Sequence, residues 1–202
     1  MRGDRGGSRV VATAAALSAV LAALALVAFL SLVVFGGTLS ALSRVAVREG
    51  RLPVTVTVFG RSVDTVSARV SFYRPNGELA GMVERSWAGW ELRVDSILVS
   101  TGSGWLVFPF RVYTDETAAN RGVDLIRHYD RSGLPVIYDS PTLDTRERSA
   151  LSRVFALVKT ERWVPPFLGT LHRKTVTIRS FESGREYFLY VSKNGTLGLS
   201  AN

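Results

Sequence analysis

A run of 26 uncharged and mostly apolar residues, 10–35, constrains this chain more than any other part of it. At about 1.5 Å of rise per residue, a helix over this run would be roughly 39 Å long. The hydrocarbon core of a bilayer is about 30 Å thick and needs about 20 apolar residues to span it. The run therefore predicts a single transmembrane helix, and its first partner is the lipid bilayer.

A cleaved signal peptide is an alternative interpretation of this run, because basic residues precede it. The apolar stretch of a signal peptide is roughly 7–15 residues long, and a small-x-small cleavage pattern follows it. Here the apolar stretch is much longer, and the patterns at residues 34–36 and 41–43 are weak. We predict a retained signal anchor over residues 10–36, with cleavage as the alternative.

The charges beside the run bear on its orientation. Three arginines lie on each side of it: Arg2, Arg5 and Arg9 before it, and Arg44, Arg48 and Arg51 after it. Arg9 abuts the run and the α-amino group adds to its side, so the positive-inside rule favours a cytoplasmic tail over residues 1–9. The expected location is a bacterial cell membrane crossed once, with the C-terminal domain extracytoplasmic.

Small residues recur at every fourth position of the run, at Ala15, Ala19 and Ala23. This spacing lets two membrane helices approach closely. The residues are therefore candidates for contact with another membrane helix, which would make the chain a small subunit of a membrane complex. The alternative is an alanine-rich helix without a partner.

Composition excludes several classes of site. The chain has 202 residues, 25 basic and 17 acidic, for a net charge of +8, and it has no cysteine. The positive charge is dispersed rather than gathered in a block, so no nucleic-acid partner is expected. Without cysteine, neither a disulfide framework nor a cysteine-ligated zinc site can form.

Beyond a stalk or linker at residues 37–50, the pattern changes to that of strands. Alternating or β-branched segments and the turns between them predict five strands in the first half of the domain, at 54–59, 65–73, 79–87, 91–99 and 105–113. Asn76-Gly77 predicts a tight turn between the second and third of them. Pro109 cannot donate a ladder hydrogen bond, which argues for a sheet edge or a bulge at its position.

The second half mixes helices and strands. Residues 145–159 predict a helix with a capping box of Asp144 and Glu147. Less regular patterns predict a helix at 115–129, weakened by Gly122, and a short strand at 136–138. Three final strands, at 175–181, 186–191 and 196–199, predict a meander.

The expected fold class follows from these elements. It is α+β: an N-terminal transmembrane helix, then a strand-dominated domain over residues 51–202, with an antiparallel sheet or sandwich-like arrangement and one or two helices. One option is that this domain consists of two parts, a sandwich-like part at 51–113 and a mixed part at 114–202.

No residue pattern specifies a catalytic set, a metal site or a cofactor. The two histidines, His128 and His172, are not at metal-ligand spacing. Asp139 and Asp144 are candidates for paired carboxylates of a hydrolase. The favoured interpretation of these two residues is a turn and a helix cap.

Trp87 and Trp90, in a predicted strand connection, are the candidate ligand-binding residues, since exposed rings there would bind sugar or a partner. Packing of both rings in the core is the alternative. The predicted function is a membrane-anchored, non-catalytic binding or scaffolding module of the envelope. The alternatives are an anchored hydrolase using carboxylates and a small subunit of a membrane complex.

Overall fold

Antiparallel hairpins build most of this protein. The computed structural model describes residues 17–26, 37–47, 49–160 and 171–201. Chain contacts divide the chain into two units, residues 1–38 and residues 39–202.

In the first unit, residues 17–26 are α-helical and their side chains are exposed. The rest of the predicted span, together with the tail at 1–9, lies outside the described residues. Among the helices of the described ranges, none is long and apolar enough to cross a membrane.

The described residues of the second unit, beyond the helical turns at 39–46, include eleven strands and an α-helix. In chain order these are β1 Gly50–Arg61, β2 Thr65–Tyr73, β3 Leu79–Ala88, β4 Leu92–Ser100, β5 Trp105–Thr114, β6 Val123–Asp124, β7 Asp130–Arg131, β8 Leu134–Pro135, α1 Thr145–Lys159, β9 Leu171–Ile178, β10 Glu186–Val191 and β11 Leu197–Ala201. One sheet has the order β11-β10-β1-β2-β3 and a second has the order β6-β5-β4-β9. The described domain is therefore β-rich and antiparallel, as expected.

Alternation along β1 places one row of side chains in the core. Val54, Val56 and Val58 are buried, and they lie opposite the buried Phe72, Val70 and Ala68 of β2. A strand whose side chains alternate buries every second residue on one face of its sheet. The predicted hairpin of β2 and β3 also forms, and Gly77 in its turn has a φ of +85°, which favours glycine.

Two buried tyrosines act in place of a neighbouring strand along part of β5. The Tyr138 hydroxyl donates to the Val107 carbonyl (2.9 Å) and accepts from the Val107 N–H (2.7 Å). The Tyr129 hydroxyl donates to the Pro109 carbonyl (2.9 Å). The ladder between β4 and β5 shifts register at Pro109, so the expected edge or bulge at this proline is confirmed.

A chain of aromatic contacts joins the two sheets through α1. Tyr129 lies 5.0 Å from Phe72 of β2 and 5.8 Å from Phe155 of α1, measured between ring centroids. Phe155 lies 5.7 Å from Phe108 of β5. The helix thus contributes to the core between the two sheets rather than only covering a surface.

The start of α1 has the predicted capping box. The Asp144 carboxylate accepts from the Glu147 N–H at 2.7 Å, and the Glu147 carboxylate accepts from the Asp144 N–H at 2.9 Å. Both bounds of the predicted helix, 145 and 159, are confirmed.

Three predictions of local structure were wrong. Residues 115–129 form two short 3₁₀ turns and β6 instead of a helix; Gly122 is extended there, and an added Cβ would lie 2.6 Å from the Arg111 side chain. Residues 136–138 form a turn after β8. The final strands are not a meander, because β9 pairs with β4 while β10 pairs with β1.

The buried Tyr138 makes the folded state less stable at alkaline pH. Burial raises the pKa of Tyr138 above its ordinary value near 10, so the native phenol stays protonated where an unfolded one ionises. The unfolded state then releases the proton first, and the stabilisation present below about pH 10 is lost as pH rises further.

We expect Tyr138→Phe to lower the free energy of unfolding by about 1–3 kcal/mol at pH 8, because Val107 loses both of its partners. The variant should also lose less stability than the wild type between pH 8 and pH 11. Urea unfolding at both pH values measures this. Tyr73→Phe is the control, and an equal alkaline loss in Tyr138→Phe and wild type would contradict the argument.

Candidate functional site

A cavity of about 960 Å³ opens beside the start of β1. Three arginines from separate segments line it: Arg44 before β1, Arg51 within β1, and Arg74 in the turn between β2 and β3. We call this cavity the arginine groove. Its size is in the usual range for sites that bind small molecules.

Local structure positions each arginine. Residues 39–46 form helical turns anchored by the buried Leu39 and Leu42, and Arg44 lies on them. Arg51 donates from Nη2 to the Ala201 carbonyl (3.2 Å), and its guanidinium lies 4.9 Å from the Phe188 ring centroid.

The Arg74 backbone closes the turn between β2 and β3. Its N–H donates to the Glu78 carbonyl (2.8 Å), and its carbonyl accepts from the Gly77 N–H (2.9 Å). The Arg74 side chain is half-buried. Among the described residues, the Arg74 guanidinium has no carboxylate within salt-bridge distance.

Two glutamates also line the arginine groove, and one of them already has partners. Glu147 is buried; besides its role in the capping box, its Oε1 lies 3.7 Å from Arg44 Nη1. The second, Glu186 of β10, is exposed. Three guanidinium groups against two carboxylates leave the lining with a net charge of +1.

Thr55 of β1 is an unusual residue of the groove wall. It is 1% exposed, and its hydroxyl has no hydrogen-bond partner among the described residues. A buried polar group without a partner costs about 1–3 kcal/mol. The hydroxyl oxygen is itself buried, so the groove does not expose it in this structure.

Apolar side chains form much of the remaining wall. They come from the segment before β1, from β1 and from the residues that precede α1: Val45, Val47, Leu52, Pro53, Ile137 and Leu143. A groove with an apolar wall and a few polar groups suits a ligand that carries both characters.

The two tryptophans predicted to bind ligand differ in exposure. Trp87 is 5% exposed in β3, opposite Val66, whereas Trp90 is 49% exposed in the turn before β4. The guanidinium of Arg61 lies 5.5 Å from the Trp90 ring centroid. The structure therefore does not bring the two rings together on one exposed surface.

Asp115 holds the turn that carries Trp90. Its Oδ1 accepts from the backbone N–H groups of Trp90 (2.8 Å) and Glu91 (3.0 Å). These backbone hydrogen bonds, that of Glu91 first, lower the pKa of Asp115. The carboxylate thus serves the turn, and the Trp90 ring projects from a fixed backbone.

The candidate carboxylates and histidine are engaged with neighbours. Asp139 Oδ1 accepts from Arg148 Nε at 3.1 Å, while Asp144 caps α1. The His128 ring stacks on Phe72 at 6.5 Å, and burial lowers its pKa. Within the described ranges, no three potential ligands are grouped to hold a metal ion.

Of the three alanines proposed to contact another membrane helix, Ala19 and Ala23 lie on the helical residues 17–26 and are exposed. Ala15 lies outside the described residues. Whether these alanines contact a partner helix stays a prediction.

Comparison with known protein families, with curated proteins and with solved structures finds no significant match. Sequence reasoning missed the arginine groove: Arg44 and Arg51 stood out only as charges beside the apolar run, and Arg74 not at all. The one local signal was the tight turn next to Arg74.

Proposed function

We propose that this chain is a membrane-anchored binding module of the bacterial envelope, with a single span over residues 10–36 and its binding domain on the extracytoplasmic side. The observation that carries the binding role is the arginine groove, which combines positive charge with an apolar wall.

The character of residues 17–26 supports the anchor. Only Ser18 among them is polar, and Leu17, Leu21 and Leu24 are each more than half exposed. A helix that is apolar on every face belongs in a protein core or in a membrane. We assign it to the membrane because it lies within the uncharged run of 26 residues.

We prefer binding to catalysis because both candidate carboxylates already have structural roles. Asp139 pairs with Arg148, and Asp144 caps α1. General acid–base chemistry needs a carboxyl group directed at a substrate. No observation on the described residues favours the hydrolase alternative.

The anchor is tested by alkaline extraction of membranes from cells that express the full chain. We expect the wild type to stay in the membrane pellet and the chain with Leu21→Arg and Leu24→Arg to be largely lost from it. Each arginine at the centre of a span costs about 2.5–3.5 kcal/mol of insertion free energy.

The matched control replaces the same two leucines with alanine and should stay in the membrane pellet. Protease added to spheroplasts should digest the C-terminal domain of the wild type. Wild-type protein in the soluble fraction would contradict the anchor, and a protected domain would contradict the orientation.

A further inference from the structure

We propose that the arginine groove binds the headgroup of an anionic phospholipid from the membrane that holds the anchor. This inference rests on the proposed function, and it names the ligand of the same site. The ligand is a phosphate-bearing amphiphile, and its source is the surrounding bilayer.

Charge gives the first argument. Guanidinium groups form paired, charge-assisted hydrogen bonds with phosphate oxygens. Arg74 has no ion pair among the described residues, and Arg44 is 82% exposed with only a long 3.7 Å contact to Glu147. Both side chains are therefore able to turn toward a phosphate in the groove.

The wall of the groove gives the second argument. The apolar residues Val45, Val47 and Leu143 would contact the first carbons of an acyl chain, which a free phosphate lacks.

The covalent chain gives the third argument. Arg44 follows the last residue of the apolar run, Phe35, by nine residues. Nine residues span at most about 32 Å even when fully extended. If residues 10–35 cross the bilayer, the covalent chain keeps Arg44 within this distance of the end of the span.

The test uses the full chain, purified in a non-ionic detergent and examined by native mass spectrometry. The probes are phosphatidylglycerol, phosphatidylcholine and glycerol phosphate. We expect the wild type to retain phosphatidylglycerol in preference to the other two. Arg74→Glu should weaken this binding by about tenfold or more, since it replaces a phosphate-pairing cation with an anion.

Matched variants separate the groove from general charge and from misfolding. Arg85→Glu makes the same charge change on an exposed residue of β3 and should bind phosphatidylglycerol like the wild type. The thermal stability of the lipid-free Arg74→Glu variant should match that of the wild type, because the Arg74 guanidinium has no ion pair among the described residues.

The outcomes that would overturn the proposal are specific. Equal retention of phosphatidylcholine would exclude recognition of the anionic headgroup, and equal binding of glycerol phosphate would exclude the lipid as the source. If Arg74→Glu and Arg85→Glu weakened binding equally, the groove would not be the binding site. If the chain resists alkaline extraction but retains no phosphatidylglycerol, only the lipid-binding inference is wrong. If alkaline treatment extracts the chain, the membrane anchor of the proposed function is wrong.

Discussion

Replacing Phe155 with alanine is expected to lower the free energy of unfolding by about 3–5 kcal/mol, the usual cost of truncating a buried aromatic ring. Phe155 is fully buried in α1. Its ring packs against Phe108 of β5 at 5.7 Å and against Tyr129 at 5.8 Å. Truncation would leave a cavity at the point where the helix joins both sheets.

Urea unfolding followed by circular dichroism measures the effect. Arg153→Ala is the matched control, because it truncates an exposed residue of the same helix. We expect the control to change the free energy of unfolding by no more than about 0.5 kcal/mol. A loss of similar size in both variants would contradict the core-packing role of Phe155.

The second large effect is expected at Asp95 of β4, which is 1% exposed. Its carboxylate accepts hydrogen bonds from Thr175 Oγ1 (2.6 Å), Tyr113 Oη (3.1 Å) and Arg173 Nη2 (2.7 Å). These donors come from β9 and β5, the strands on either side of β4. The carboxylate therefore ties three strands of one sheet together.

Asp95→Ala should lower the free energy of unfolding by about 2–4 kcal/mol, because three donors lose their common acceptor. We expect a smaller loss than for breaking a fully buried ion pair, because the Arg173 side chain is 47% exposed and water would solvate its guanidinium in the variant. Asp95→Asn keeps the shape and should cost about half as much. Asp139→Ala, which removes a partly exposed ion pair, is the control and should cost no more than about 1 kcal/mol.

A spectroscopic readout distinguishes loss of the carboxylate from a general loosening of the sheet. Burial, followed by the charge of Asp95, raises the pKa of Tyr113. In Asp95→Asn the charge is gone, so NMR titration of the Tyr113 ring should show its pKa moving down toward the ordinary value near 10. An unchanged Tyr113 titration would contradict the electrostatic role of Asp95.

Much of the local structure was predictable because its causes are local. Alternating residues marked β2, and Asn76-Gly77 marked the turn after which the chain was expected to return as β3. The reciprocal hydrogen bonds of Asp144 and Glu147 depend only on residues three apart, so the start of α1 was predicted correctly.

The wrong predictions share a physical cause. Apolar spacing favoured a helix at residues 115–129, but Gly122 packs against the Arg111 side chain, and the Asp124 carboxylate accepts from the Ile126 N–H in a turn. Tertiary packing and side-chain capping outweighed a weak helical preference there. Local patterns also do not indicate which distant strand a given strand will pair with.

The candidate site could not be read from the sequence for the same reason. Arg44, Arg51 and Arg74 have no motif in common, and Thr55 is one of several threonines in a strand. The site exists only because β10 pairs with β1 and brings Phe188 opposite Thr55. By contrast, the predicted binding tryptophans were chosen by residue type, and only the fold shows that Trp87 in β3 is buried while Trp90 in the turn before β4 is exposed.

What the sequence by itself determined about this protein is the uncharged run at residues 10–35, the alternation of the strands and the cap of α1. Each depends on neighbours in the chain, and the membrane span predicted from the run stays a prediction. Only the tertiary structure decided that β9 joins β4 while β10 joins β1, and that three arginines gather around one groove. Long-range pairing depends on which apolar faces bury one another, and that choice is made by the whole chain rather than by any segment.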